Sequence, residues 1–486
     1  MKPLRTLSTA LSTSSFAMLL FAGPAYSQTD PAASLLEALS LVSGRMLVSP
    51  TLAPRVTRDG DRFHVHIPLP KLSTPPDASI EVTATPLPSG VWDITGLTFP
   101  QAGTLLAPNT PDTPPVSLRF TIGQQEAHAR VDPTLSVPSP YAMAFSDLAL
   151  HIESAAPPAD LIIGQMTLDG TITGASDGRI TTRSRSRADN WRLTTTTKTG
   201  TPVAMSLKSA DIRYDVNGLD RTQAERLEEA TRAVAADQRA TPPGQPSSIS
   251  PAVREQLRAI IEASAGLMSG FDIEETVQGM HFQSAAVNNG DIGEIRLNMA
   301  GEAADNRVAG HLDIGLNDIT VAALPPYYAP HRIAFRTAFS GIPVEPLRHL
   351  LLQATTADPD SAALRTQAVA LLNAPGVRAG IETIQIEAGP LRLQGSARVR
   401  PLPDGSAGFD VHLTAHGLDA MLALVQADPK AQQVMPMLFM AKGMAKPDGD
   451  GLVWDIGFAN GVVMVNGVPM GQKPGGVPGT RPPVKR

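Results

Sequence analysis

Apolar positions along this chain change period several times, and each change predicts a change of element. Between residues 30 and 48, Leu35, Leu36, Leu39 and Val42 recur at helical spacing, which predicts one amphipathic helix. The period then drops to two. Phe63, Val65 and Ile67 alternate with His64 and His66 after a turn at Gly60. Ile80, Val82, Val91, Ile94, Leu97 and Phe99 continue in short extended runs broken by Pro and Gly, and Val116, Leu118, Phe120 and Ile122 form a clean alternating strand. Two long strands are expected over 161–172 and 180–199, meeting at Gly174–Gly178. Their Thr-rich alternation suits an antiparallel sheet with one solvated face. Met205, Leu207, Ile212 and Tyr214 carry the sheet onward.

A second grammar begins near Asp215. An extended segment reaches Gly218, a helix follows over 221–239, and Ser250-Pro251 caps another whose stripe is Val253, Leu257, Ile260 and Ile261. Gly270 stops it, and strand patterns return over 271–324. The same order recurs from Ile333. Gly341 precedes a helix carrying Leu347, Leu350 and Leu351, Asp358-Pro359 opens a second with Leu364, Val369 and Leu372, and Gly376 ends it. It recurs again after Phe409. Gly417 precedes Met421, Leu424 and Val425, Asp428-Pro429 opens a helix with Val434, Met435 and Leu438, and Gly443 ends that one. The expected fold is therefore α+β: long, twisted antiparallel sheets with helix pairs packed on one face, built from degenerate strand–Gly–helix–helix–strand repeats. A helix pair has an apolar stripe that needs a sheet to cover it, and each Gly lets the chain turn sharply off its strand.

The first residues read differently. Lys2 and Arg5 precede the apolar run 16–22, and Ala25-Tyr26-Ser27 puts small residues where a signal peptidase reads. The run is too short to cross ~30 Å of hydrocarbon, which takes ~20 residues. This predicts export, a mature start at Gln28 and a periplasmic location. The predicted organisation is a signal peptide over 1–27, an N-terminal helix and β-rich region ending in a helix over 28–240, and a linker over 241–250. An α+β region with helix pairs follows over 251–471, then a disordered Pro/Gly tail over 472–486. No transmembrane span is expected in the mature chain.

Composition narrows the classes. The net charge is −6 with no basic stripe, and aromatics are 4%, so no nucleic-acid partner is expected. With no Cys there is no disulfide framework, thiol nucleophile, thiolate metal site or lipid-anchor thiol. The 42% apolar content is enough for a core.

Candidate chemistry is sparse. Gly174-Ala175-Ser176-Asp177-Gly178 matches G-x-S-x-G, but that motif needs a strand-turn-helix elbow and here both flanks read as strands, so it is assigned to a hairpin turn. His64 and His66, and His412 and His416, share strand faces and read as solvent-facing. Asp448-Gly449-Asp450-Gly451 lacks the later acidic ligands of a calcium loop and reads as a turn. Glu274 and Glu275 are adjacent, so a strand sends them to opposite faces, away from a shared acid–base site. Arg183, Arg185 and Arg187 alternate on one face, suited to an anionic head group or to a solvated surface. Met435, Met437, Met440 and Met444 are adaptable packing for a core or a binding groove. No catalytic, cofactor-binding or metal residue is assigned, and no cofactor is expected.

The run 458–469, Phe-Ala-Asn-Gly-Val-Val-Met-Val-Asn-Gly-Val-Pro, resembles the closing motif of the YdgA-like proteobacterial envelope proteins (domain of unknown function 945). The opening 56–65, Val-Thr-Arg-Asp-Gly-Asp-Arg-Phe-His-Val, resembles alphaproteobacterial proteins of domain of unknown function 2125. These resemblances imply an exported β-rich protein without established catalytic residues. The leading expectation is a non-enzymatic protein of envelope maintenance that binds an apolar or lipid-like ligand. The alternatives are a periplasmic hydrolase using Ser176 or a histidine, and a module that binds another envelope protein.

Overall fold

The computed structural model describes residues 54–470 together with Ala32 and Leu35, apart from 241–250 and short interruptions in other loops. The predicted signal segment, most of the predicted first helix, and the predicted linker and tail lie outside the described residues. Ala32 and Leu35 are helical, and Leu35 is fully buried against the first core cluster.

Period-two alternation becomes strand throughout. Eight short strands come first: β1 (Arg55–Asp59), β2 (Arg62–Pro68), β3 (Leu72–Thr74), β4 (Ser79–Pro86), β5 (Trp92–Thr98), β6 (Ala102–Leu106), β7 (Ser117–Thr121) and β8 (Gln124–Asp132). Their inward positions, Phe63, Val65, Ile67, Ile80, Val82, Ala84, Trp92, Ile94 and Val131, form one core. Phe63 meets Trp92 edge-on, with ring centroids 5.2 Å apart.

Then the strands lengthen. They are β9 (Val137–Glu153), β10 (Ala159–Gly174), β11 (Arg179–Thr196), β12 (Pro202–Asp220), β13 (Gly270–Ser284), β14 (Gly290–Ala304), β15 (Arg307–Val321), β16 (Arg332–Pro343), β17 (Arg378–Ala388), β18 (Leu391–Pro401) and β19 (Ala407–His416). From β9 onward each pairs antiparallel with the strand before it. The sheet closes on β21 (Gly451–Ala459), β22 (Val462–Val465) and β23 (Val468–Met470), with β20 (Lys446–Asp448) on the edge of β21. At the other side, β9 pairs with β8 along its first half and β7 along its second, which joins the small strands to the long sheet.

Three helix pairs interrupt the meander. They are α1 (Arg221–Ala240) with α2 (Pro251–Ser264), α3 (Val344–Ala354) with α4 (Ala362–Leu372), and α5 (Leu418–Ala427) with α6 (Met435–Met444). Gly218, Gly341 and Gly417, expected at the strand exits, all have positive φ, at 61°, 71° and 72°. A Cβ at Gly341 would strike the Gly376 carbonyl, and one at Gly417 the Pro390 carbonyl, so the close approach itself requires glycine. The register places the first two pairs at one end of the sheet and the third at the opposite end. Two details depart from the sequence reading. Gly443 lies inside α6, which runs on to Met444. Neither α3 nor α4 has a fully buried residue, and Leu350 is half-buried.

A crease crosses the long strands. Asp147, Asn190, Gly279 and Asp318 take φ of 50°, 55°, 62° and 54° in the middle of β9, β11, β13 and β15, every second strand. The register aligns them with Gly164, Lys208 and Gly293 on the strands between. In a regular strand, residues three apart face opposite ways. Here Trp191 and Ala188 pack in the same cluster, as do Ile163 and Met166. Each left-handed residue thus swaps the faces, and one side of the sheet stays apolar on both sides of the crease.

Candidate functional site

Below the crease, cross-strand partners form three rows on that apolar side. One reads Phe145, Met166, Ala188, Ala210, Val277, Ile295, Leu316, Ile333, Ile386, Leu393, Ala415 and Leu452, from β9 to β21. The next runs through Ile212, Glu275, Leu297, Ile314, Phe335, Ile384, Gly395, Leu413 and Trp454. The third holds Tyr214, Ile273, Met299, Leu312, Thr337, Ile381 and Ala397. Aromatic rings lie against glycines of the paired strand along this side, Phe271 against Gly301 and Phe339 against Gly310, and occupy the space a glycine side chain would need.

Both flanks of this side are true core. On β10–β12, Ile172, Ile180, Tyr214 and Val216 pack with Ala224 and Leu227 of α1, and Ile163, Trp191 and Leu207 form a cluster across the crease. At the far flank, Ala415, Trp454 and Val465 pack with Leu418 and Leu422 of α5 and with Met435 and Leu438 of α6. Between them the pattern changes. No large apolar side chain of β13–β18 is fully buried, and Met299, Phe339 and Val399 are exposed. Adjacent strands lie ~4.8 Å apart, so the strip is about 24 Å across β13–β18 and, over three rows, roughly 13 Å along the strands. Its margins touch the cores, through Phe271, Ile273 and Val277 of β13 and Leu391 and Leu393 of β18, and β14–β17 between them stay uncovered.

One carboxyl sits in this strip. Glu275 has Ile212 and Leu297 opposite it on the two neighbouring strands, and Ile273 and Val277 beside it on its own. Burial pushes its carboxyl above the ordinary range, and no charge contributes to the shift. Glu274 faces the other way and pairs with Arg213 at 3.4 Å. Tyr214, on the strand before, has its hydroxyl pushed up to about 12 by burial.

The opposite side of the sheet is polar and paired. Asp211 accepts from Nε of Arg185 at 2.9 Å and also from its terminal nitrogen, while Arg187 bonds Asp189 at 2.9 Å. Arg185, Arg187 and Asp211, with Arg213, Glu274 and Thr276, line an open depression of about 240 Å³. The arginine row is therefore largely answered by carboxylates of its own sheet. His66 pairs with Glu81 at 2.7 Å, His64 lies 3.3 Å from the Thr83 hydroxyl, His412 pairs with Asp455 at 2.8 Å and His416 with Asp450 at 3.3 Å. The members of each histidine pair thus turn to different partners. Among the described residues, no three His, Asp or Glu side chains converge as a metal ion requires.

Ser176 lies outside the described residues. Its flanks are β10, ending at Gly174, and β11, starting at Arg179, so the context is strand-turn-strand and not an elbow. Asp448–Gly451 is the β20–β21 turn. The methionines divide: Met435 and Met444 join the core, while Met437 and Met440 are 67% and 57% exposed, with Phe439 between them at 53%. Sequence reasoning separated Glu274 from Glu275 by face but missed that one of those faces is apolar. The signal was the register of apolar residues on strands not yet paired.

Comparison with known families bears on the second half of the chain. Residues 256–474 match the family described as "Uncharacterized protein conserved in bacteria (DUF2125)". The match spans under half of the chain and carries no assigned activity. The matched segment opens within α2 and carries β13–β23, hence the whole strip with Glu275. The 56–65 motif that resembles the same family lies outside it, and the 458–469 motif likened to the YdgA-like proteins lies inside it. No curated protein and no solved structure matches the chain. No helix among the described residues is long and apolar enough to cross a membrane.

Proposed function

We propose that this is an exported, non-catalytic protein of the bacterial periplasm that binds an apolar or lipid-like ligand along the strip over β13–β18, in the service of envelope maintenance. The observation that carries the reading is the strip itself, a run of cross-strand apolar residues between two closed cores that no described element covers. Contiguous apolar surface of this size is rare on a monomer unless something binds it. An acyl chain suits the dimensions. One leaflet spans about half of the ~30 Å hydrocarbon core, so a chain of about 15 Å fits within the strip. On this reading the helix pairs are degenerate copies of one strand–Gly–helix–helix–strand unit. Their apolar stripes close the flanks of the sheet and leave its middle open to the ligand.

Export rests on the charged start, the apolar run 16–22 and the small residues at 25–27. The test is native mass spectrometry of protein released by osmotic shock. The expected result is a chain beginning at Gln28 with a bound amphiphile, which is lost in a Leu297→Asp, Ile314→Asp double variant that still folds. Retention of the amphiphile by that variant would place the ligand elsewhere, and a full-length chain in the cytoplasm would end the export reading.

The exposed Met437, Phe439 and Met440 on α6 favour a second reading, a docking face for another envelope protein. Its test is crosslinking in intact cells from a photoreactive residue at 439.

A further inference from the structure

Glu275 is out of keeping with its surroundings. Ionised carboxyls at protein surfaces stand in water or beside a cation, and buried ones are paired. This one stands on the apolar side of a sheet, boxed by Ile212, Leu297, Ile273 and Val277, and it has no hydrogen bond or ion pair with any described residue. A structural role would give it a partner, as Glu274 has in Arg213. The rows on either side of it are also unequal. On β11 and β12 the same side carries Ser184, Ser186 and Tyr214, with the Tyr141 hydroxyl bonded to Ser184. On β14–β17 the row through Glu275 continues as Leu297, Ile314, Phe335 and Ile384, without a polar side chain. Within the strip, then, Glu275 is the charged side chain at its β13 margin, and of the other side chains in the three rows only Thr337 is polar, its hydroxyl already bonded to the Gly380 carbonyl.

We propose that Glu275 anchors the polar end of the ligand, and that the ligand is an amphiphile whose head group carries a hydrogen-bond donor, an ammonium in preference to a hydroxyl. This rests on the apolar-ligand reading above and specifies it. The head group lies at Glu275 on β13, at the margin of the core, and the chain runs across β14–β17. A half-desolvated carboxylate gains most from a cation, because a charge-assisted hydrogen bond is roughly twice as strong as a neutral one. The same carboxylate repels an anionic head group. A fatty acid should therefore be a poor ligand, although its chain fits equally well.

The test uses the full mature protein, physiological salt and neutral pH. The neutral probe N-phenyl-1-naphthylamine is bound first, then displaced by dodecylammonium, dodecanol or dodecanoate below their micelle concentrations. Wild type should rank them in that order, with about a tenfold gap or more between ammonium and carboxylate, equivalent to about 1.4 kcal/mol. Glu275→Gln should bring the ammonium within about twofold of the alcohol, and Glu275→Leu should make all three nearly equal. Glu274→Gln removes the same formal charge from the other side of the sheet and should leave the order as in wild type. This separates a local contact from the chain's overall negative charge. Thermal melts confirm that each variant folds, and Glu275→Leu removes a desolvated charge, so it should melt no lower than the parent. Equal displacement by all three ligands in wild type, or an unchanged order in Glu275→Gln, overturns the assignment while leaving the apolar strip standing. Failure of the probe to bind wild type at all overturns the strip as a ligand site, and the anchor with it.

Discussion

Gly164 on β10 lies opposite Asn190 on β11, and a Cβ on the glycine would sit 3.0 Å from that of the asparagine. Asn190 holds a φ of 55°, a conformation that glycine and asparagine tolerate and β-branched residues do not. Asn190→Val should therefore destabilise the fold by about 1–3 kcal/mol, while Asn190→Gly stays close to the parent. Urea unfolding followed by tryptophan fluorescence, to which Trp191 beside the crease contributes, reads both. Equal stability of the two variants would mean that the crease is not held by this residue.

Leu207 and Leu297 separate core from strip. Leu207 is 8% exposed and packs with Ile163 and Trp191. Leu207→Ala should cost about 2–5 kcal/mol. Leu297 is half-buried by its neighbours alone, and Leu297→Ala should cost about 1 kcal/mol. Matching losses would show that something closes over β14 and that the strip belongs to the core.

The pH dependence of Glu275 runs opposite to that of an ion-paired acid. Its carboxyl is raised by burial, so the folded state holds the proton more tightly than the unfolded state. Stability then falls as pH rises from the unfolded value through the folded one, and the full cost is present above both. Glu275→Gln should exceed the parent in urea midpoint at neutral pH, and the margin should vanish as pH drops below the unfolded value. Asp291 behaves in the reverse way. The hydrogen bond from His281 lowers its pKa, so its contribution is present above the unfolded value and is lost on acidification through the folded one.

The polar side should be forgiving. Arg185 is 44% exposed where it pairs with Asp211, and an ion pair this open to solvent contributes under about 1 kcal/mol. Asp211→Asn should lower the melting midpoint slightly at low salt and by less at high salt. A large, salt-independent loss would point to a structural role for the arginine row.

Much of this architecture could be read from alternation alone. The strands over 161–172 and 180–199, the helix pairs and the turning glycines at 218, 341 and 417 each announce themselves within a few residues, because period and turn chemistry are local. The apolar strip could not be read that way. Whether Ile273 is core or surface depends on Tyr214 and Met299 beside it and on what lies above it, and neither is encoded within its own strand. The crease was hidden for a related reason. Asp147, Asn190 and Asp318 are ordinary polar residues until pairing aligns them, and the parity change they cause makes apolar residues on the two sides of the crease look out of phase. Gly443 misled because it stands near a helix end without forming it; the backbone continues helical for one more residue.

From β9 onward every strand leans on its neighbours in the chain, so growth by duplication has a natural unit. Two added strands, one hairpin, would return the backbone to the same end of the sheet with the same side chains facing the same way. A single added strand would not. Lineages that carry this fold can therefore differ in length by whole hairpins without rebuilding either end, much as stacked-repeat proteins gain and lose modules. Each added pair would widen the surface available to a long molecule by about 10 Å, twice the strand spacing. The reach of the protein would then be set by how many times its gene copied a hairpin.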